Sequence, residues 1–329
     1  MTGPENKAKQ KQGSEIIRIK DMVPGSEVKG FLAVRQCYVR QNRNKPTEYL
    51  DLKLHDGVGE VAAKRWDHNG EAPNPGEVLY LEAKVENYQG ARQLNITNWV
   101  KAKKGDYPPG HFLPKCPEEP AELWQKVCRR LQEIKNPSLQ ALIDQFLTDQ
   151  ELVAQIKEAP ASMGHHHATL SGLLQHIWHT MQKADGLAAG DFAIPIDRDL
   201  LAVGCFLHDI GKVREYTWEG ETIGRSDPGM LLGHIAMGLI MVNQSIDRVA
   251  GFPEVLRWKL LHMVASHHGT LEFGSPVIPL FLEAEILARA DDADAQLFKF
   301  AQALTETSKG DRWSPYIRTL GRQVWVSED

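Results

Sequence analysis

Hydrophobic and polar positions alternate over the first hundred residues and then change to three- and four-residue spacing. Between Glu15 and Lys104 the runs "VKGFLAVRQCYV", "EYLDLKLHD", "EVAAKRW", "EVLYLEAKVENY" and "RQLNITNWV" are short, several have period two, and turns such as "HDGVG" and "NPG" part them. Alternation places one set of side chains on one face of a pleated strand, so five strands are predicted. Five short strands in so small a span predict an all-β barrel of the OB type over residues 15–104. The stretch "KKGDYPPGHFLPKCPEEP" carries five prolines and two glycines, which predicts a semi-rigid linker at 105–120. Beyond it, "AELWQKVCRRLQEI" and "SLQALIDQFLTDQELVAQI" have helical spacing, and the pattern continues. The prediction is a multidomain chain: the barrel, then an all-α domain over 121–310 and a C-terminal segment at 311–329. The polar start, "MTGPENKAKQKQGS", reads as a disordered tail over 1–14 and not as a secretory signal.

Composition changes this picture little. The 329 residues are 42% hydrophobic and 25% charged, an ordinary globular balance with length for two domains. No stretch approaches 18 uninterrupted apolar residues, so a soluble, cytoplasmic protein with no membrane partner is expected. Cys37, Cys116, Cys128 and Cys205 are far apart with no CxxC pair, which points to neither a disulfide framework nor a zinc ribbon.

Charge changes it more. The net charge of −5 conceals a split: residues 1–104 carry 18 basic and 13 acidic residues, the remaining 225 carry 20 and 30. One module suits a polyanion and the other suits cations. Lys29, Arg35, Arg40, Arg43 and Lys45 lie in a stretch without a single acid, with Tyr38 among them. Cations tracking phosphates beside aromatics that stack on bases are how OB barrels hold single strands, which makes these six the candidate nucleic-acid contacts.

Apart from His55 and His68 in the barrel and His111 in the linker, the other ten of the 13 histidines lie in the helical part. They fall in "HHHATLSGLLQHIWHTM", "LHDIGK", "LGHIAMG" and "LLHMVASHHGT", and an acidic "ARADDADA" follows. A lone histidine on an apolar face is usually a hydrogen-bonded core residue. Here four helices each place His or Asp beside an apolar stripe, which points to metal. His208 and Asp209 close the apolar run "LLAVGCFL", where a buried charge is costly unless paired or ligated. Adjacent helical residues point about 100° apart, so the pair can share a site only if the helix ends there, as Gly211 suggests. A carboxylate has two oxygens, which makes Asp209 the natural pivot of a binuclear centre. Imidazole and carboxylate without thiolate suit manganese, iron, cobalt, nickel or zinc. Lys212, three residues on, places a cation where phosphoryl charge would develop.

The order His176, His208-Asp209, His234, His267-His268, Asp291 resembles the HD-domain superfamily of metal-dependent phosphohydrolases. With "LDLKLHDGVGEVAAKRWD" in the barrel, a Pro-rich linker, "HHATLSGLLQH", "CFLHDIGKVREY", "LLGHIAMG", "SHHG" and "ARADDADA", the chain is similar to the YhaM family of bacterial 3′-5′ exoribonucleases over roughly residues 15–305. The resemblance implies an OB barrel followed by an all-α HD domain and two divalent ions, manganese foremost. It implies that His176, His208 and Asp291 hold one ion with Asp209, and that His234 and His267 share Asp209 to hold the other. Lys212 and His268 match positions that grip phosphate or protonate a leaving oxygen, and with Asp209 they are the expected catalytic set. His166, His167, His262 and Asp294 are candidates for substrate contact or for orienting a ligand.

The expected activity is therefore hydrolysis of single-stranded RNA from the 3′ end, with single-stranded DNA and assembly into a homo-oligomer left open. Two other readings compete: an HD-type nucleotide or cyclic-nucleotide phosphohydrolase, and a single-strand-binding accessory protein. The basic barrel argues against the first and the intact ligand set against the second.

Overall fold

Strand alternation closes into a barrel in the computed structural model, which describes residues 16–42, 45–68, 70–88, 90–103, 105–108, 110–163, 167–190, 193–218, 223–307 and 310–326. Its strands are β1 (Glu27–Gln41), β2 (Glu48–His55), β3 (Glu60–His68), β4 (Val78–Tyr88) and β5 (Ala91–Lys101). They close in the order β1-β2-β3-β5-β4, antiparallel throughout except where β3 and β5 run parallel. This is the five-stranded Greek-key barrel of the OB fold. Inward positions such as Leu50, Leu52 and Leu54 on β2, Leu81, Ala83 and Val85 on β4, and Leu94 and Ile96 on β5 form one core. The "HDGVG" turn is pinned by buried Asp56, whose carboxylate accepts from the N–H groups of Ile19, Val58 and Gly59.

The helical unit contains α1 (Pro120–Gln132), α2 (Pro137–Thr148), α3 (Gln150–Glu158), α4 (Gly172–Ala188), α5 (Arg198–Leu207), α6 (Lys212–Glu215), α7 (Asp227–Ile246), α8 (Glu254–Ser266) and α9 (Leu282–Glu306). Its helix starts are capped as local chemistry requires. Asn136, Asp149, Asp197 and Ser226 each accept a backbone N–H of the first turn. Residues 200–207 of α5 are buried without exception, which is why that run shows no polar face. α5 packs against α4 and α9, which bear His176 and Asp291, and against α8, which His267 caps. α7 is apolar and long enough to cross a bilayer by length and composition. It packs against α6 and α8 and carries His234.

The chain divides into two compact units between Pro114 and Lys115. The proline-rich stretch expected as a linker is shared between them. Tyr107 and Phe112 pack with Phe31, Ala33 and Val78 of the barrel unit. Cys116 donates its N–H to the Leu170 carbonyl, and Glu118 accepts from Gln175, both within the helical unit.

Candidate metal centre

Four helices and two helix ends converge on Asp209, which is 1% exposed. α5 stops at Leu207, His208 caps it, and the chain turns through Asp209 before α6 begins at Lys212. Oδ2 of Asp209 lies 3.2 Å from Nε2 of His176 on α4 and 3.4 Å from Nε2 of His208. Asp291 on α9 joins this set, with Oδ1 3.0 Å from His176 and 3.9 Å from His208. Oδ1 of Asp209 turns the other way, 3.4 Å from Nε2 of His234 and 3.4 Å from Nε2 of His267. His268 completes that second set, its ring 5.2 Å from that of His234.

Each of the four first-named imidazoles is aimed by its other nitrogen. Nδ1–H donates to Asp294 Oδ2 from His176 at 2.7 Å, to the Cys205 carbonyl from His208 at 2.7 Å, to Glu215 Oε2 from His234 at 2.9 Å and to the Val264 carbonyl from His267 at 2.8 Å. All four partners are acceptors, so Nδ1 holds a proton and Nε2 is the nitrogen turned toward Asp209 and left to meet an ion. His208 and His267 use the same device: each caps a helix and folds its ring back onto a last-turn carbonyl.

Gly211 does not end the helix through a left-handed backbone, since its φ is −63°. It permits close approach. A Cβ there would stand 2.0 Å from the His234 carbonyl oxygen, so any side chain would push α7 away from Asp209. Gly233, at a φ of 70°, breaks α7 just before His234 and re-aims the residue that follows.

The donor chemistry fits divalent ions. Asp209 Oδ1, His234 Nε2 and His267 Nε2 are buried, have no hydrogen-bond partner among the described residues and face one another. Leaving such groups unsatisfied costs about 1–3 kcal/mol each, and three acceptors in one place are relieved together only by a cation. Burial lowers the pKa of His234 and of His267, keeping both neutral at pH 7 and competent to bind metal. Burial opposes the charge on Asp209, but Lys212 and then His208 outweigh it and hold the carboxyl well below the usual range. For His176, too, burial is overcome. Hydrogen bonds to Asp209, Asp291 and Asp294 raise its pKa well above the ordinary value.

A family model for the HD domain matches residues 173–296, which spans every candidate ligand in both sets. A curated 3′-5′ exoribonuclease YhaM of Oceanobacillus iheyensis is 32% identical over 295 residues, covering 87% of this chain and 90% of that one. The chain belongs to the YhaM family. The YhaM proteins of Listeria monocytogenes and Bacillus subtilis are also 32% identical, covering 89% and 87% of this chain and 93% and 90% of theirs. Among solved structures, a domain of replication protein A from Methanococcus maripaludis is similar at 18% identity and a TM-score of 0.24, over 27% of this chain and 96% of that one.

In this YhaM-family chain Lys212 is buried beside Asp209. It is 6% exposed, with Nζ 2.6 Å from Asp209 Oδ2. Burial disfavours its charge, yet Asp209 more than compensates and its pKa is raised. Burial and then the His267 ring push His268 down to about 4, and its Nδ1–H is engaged by the Phe273 carbonyl. A neutral His268 has the donor chemistry to join the second set, while Lys212 keeps its proton. His167 lies one step back, with Nε2 2.9 Å from Asp294. His262 is not in the cluster: its Nε2 accepts the N–H of Leu280 and its ring packs on Phe281. His166 and Arg43 lie outside the described residues.

The basic stretch of the barrel is acid-free only in sequence. Lys29 pairs with Glu82, Arg35 with Glu60, Arg40 with Asp51 and Lys45 with Asp67, because neighbouring strands supply the acids. Such exposed pairs are worth about 0–1 kcal/mol, so a phosphate competes with them readily. The Arg40 guanidinium also lies over the Tyr38 ring. Beside them Tyr49 and Trp66 pack at 4.8 Å between ring centres, with Lys64 over both.

The sequence motifs single out neither Glu215 nor Lys183 and give His179 no role. Asp294 accepts from His167, His176 and Lys183, with His179 3.5 Å away. The spacing of His176, His179 and Lys183 along one helix face was the available signal. Asp294→Asn should weaken Mn²⁺ binding roughly 10- to 100-fold, the usual loss on removing a group that orients a ligand. It also removes one of the three carboxylates that raise His176, so the fall in Mn²⁺ affinity on acidification should become shallower. Isothermal titration across pH reads both, and parental affinity at every pH would refute the role.

Proposed function

We propose that this chain is a metal-dependent 3′-5′ exoribonuclease that hydrolyses single-stranded RNA to nucleoside monophosphates, using two divalent ions with manganese foremost. The carrying observation is Asp209, whose two oxygens address two separate sets of aimed imidazole nitrogens. Family membership over nearly the whole chain supports RNA as the substrate. Ions held there would supply an activated water and neutralise charge on the scissile phosphate. His176, His208, Asp209 and Asp291 would hold one ion, and Asp209, His234, His267 and His268 the other. Water adds to phosphorus, the P–O3′ bond breaks, and the shortened chain keeps a 3′-hydroxyl. Lys212 places a fixed positive charge beside the phosphate, inside a dry pocket where it counts for more than in water.

The barrel is the strand-binding module in this reading. Its exposed Tyr38 and Trp66 and half-buried Tyr49, interleaved with Arg40 and Lys64, offer π-faces to bases and cations to phosphates. With Mn²⁺, a 5′-labelled single-stranded RNA should give a ladder shortening from the 3′ end, and a duplex should resist. Tyr49→Ala with Trp66→Ala should lower affinity for the long strand about tenfold, leave dinucleotide hydrolysis near parental, and keep binding salt-sensitive. Intact RNA with Mn²⁺, Co²⁺, Ni²⁺ and Mg²⁺ would overturn the activity. Hydrolysis of mononucleotides alone would favour a small-molecule phosphohydrolase.

A further inference from the structure

The acidic helical unit ends in a hairpin of opposite character. Residues 310–326, "GDRWSPYIRTLGRQVWV", contain three arginines, one aspartate and three large aromatics. The Ser314 N–H donates to the Val324 carbonyl and the Val326 N–H to the Arg312 carbonyl, so Trp313 and Trp325 pair across the two arms. Ser314 and Val324 are the buried positions, with the Val324 N–H also bound to Ser314 Oγ. This anchoring leaves the aromatics outward: Trp313 is 57% exposed, Tyr316 63% and Trp325 57%. The Arg322 guanidinium lies 5.1 Å from the ring centre of Phe300 on α9, the helix that also bears Asp291. Nine residues separate Phe300 from Asp291, about 14 Å along a helix axis at about 1.5 Å per residue.

We propose that this hairpin is a second single-strand contact, which stacks bases on Trp313, Tyr316 and Trp325 and draws phosphates to its arginines. The inference rests on the exoribonuclease reading above for the identity of the strand. Large aromatics are costly to leave in water. Their mixture with cations, on a unit that is otherwise acidic, matches what single strands require: sequence-tolerant stacking with charge attraction. A partner protein docking through apolar area alone would gain nothing from three exposed arginines. The attachment to α9 sets the hairpin within a few nucleotides of a 3′ end at Asp209, so it would steady the strand upstream of the scissile bond.

The test uses the full chain and a fluorescein-labelled oligouridylate of about 20 nucleotides, with affinity measured in chelator so that turnover plays no part. Tyr316→Ala and Arg318→Ala, alone and combined, alter exposed side chains outside the hairpin's paired backbone. Trp325→Ala is compared with Trp325→Phe. The combined variant should lose at least about fivefold in affinity, Trp325→Phe should retain more than Trp325→Ala, and hydrolysis of a dinucleotide should match the parent. Parental affinity in the combined variant would overturn the proposal. So would a loss of affinity accompanied by a change in sedimentation coefficient, which would assign the hairpin to an interface between copies. Because binding is read without turnover, failure of the parent to shorten RNA would count against the activity and leave the hairpin to be decided by affinity.

Discussion

Asp209→Asn should empty both ligand sets and lower RNA hydrolysis by at least about 10³-fold, the scale on which residues acting as a unit fail together. The substitution keeps the shape of the side chain and removes its charge. It also makes one of the two atoms a donor, which then faces metal-competent nitrogens on one side or the other. No other described carboxylate addresses both sets: Asp291 lies beside His176 and His208 only. Elemental analysis should find less than one ion per chain where the parent holds more, and Mn²⁺ should no longer raise the thermal midpoint. A variant that keeps parental metal content and rate would sink the assignment of Asp209 as the bridge.

Lys212→Met should do the opposite to metal and nearly as much damage to rate. Methionine preserves the buried stem, so metal per chain should match the parent, while turnover on RNA falls about 10²-fold with the loss of one fixed cation facing the phosphate. The free protein offers a second readout. Breaking a buried ion pair typically costs about 3–5 kcal/mol because the remaining charge stands alone, and Asp209 is 1% exposed. Lys212→Met should therefore melt well below the parent in chelator and recover most of the difference with Mn²⁺. If chelated and loaded proteins shift alike, Lys212 is a packing residue. If metal content falls with rate, it belongs to the ligand network instead.

Much of the molecule is written in local pattern. Alternation at Leu50, Leu52 and Leu54 marks a strand with one face inside, because successive side chains leave a pleat on opposite sides. The run ending in His208-Asp209 marks a buried helix whose last polar pair needs partners, because a charge inside apolar surroundings is otherwise too costly. The ordered motifs named the candidate ligands without any distance. They also named Asp294, one turn beyond Asp291 on the same face, as a group that could orient one of them.

What local pattern decides is thus the two folds and which residues are candidates for ligands and pivot, since periodicity and burial cost act over a few neighbouring residues. Tertiary structure alone decided which atom meets which. Glu215 aims His234 across 19 positions and Asp294 aims His176 across 118, separations at which no spacing rule operates. Acids brought by adjacent strands pair the acid-free basic stretch of the barrel, and a close approach, not a backbone turn, explains Gly211. Lys212 reads in sequence as a cation for phosphoryl charge, and only in space is it a buried partner of Asp209, because the short α6 turns it inward against that carboxylate.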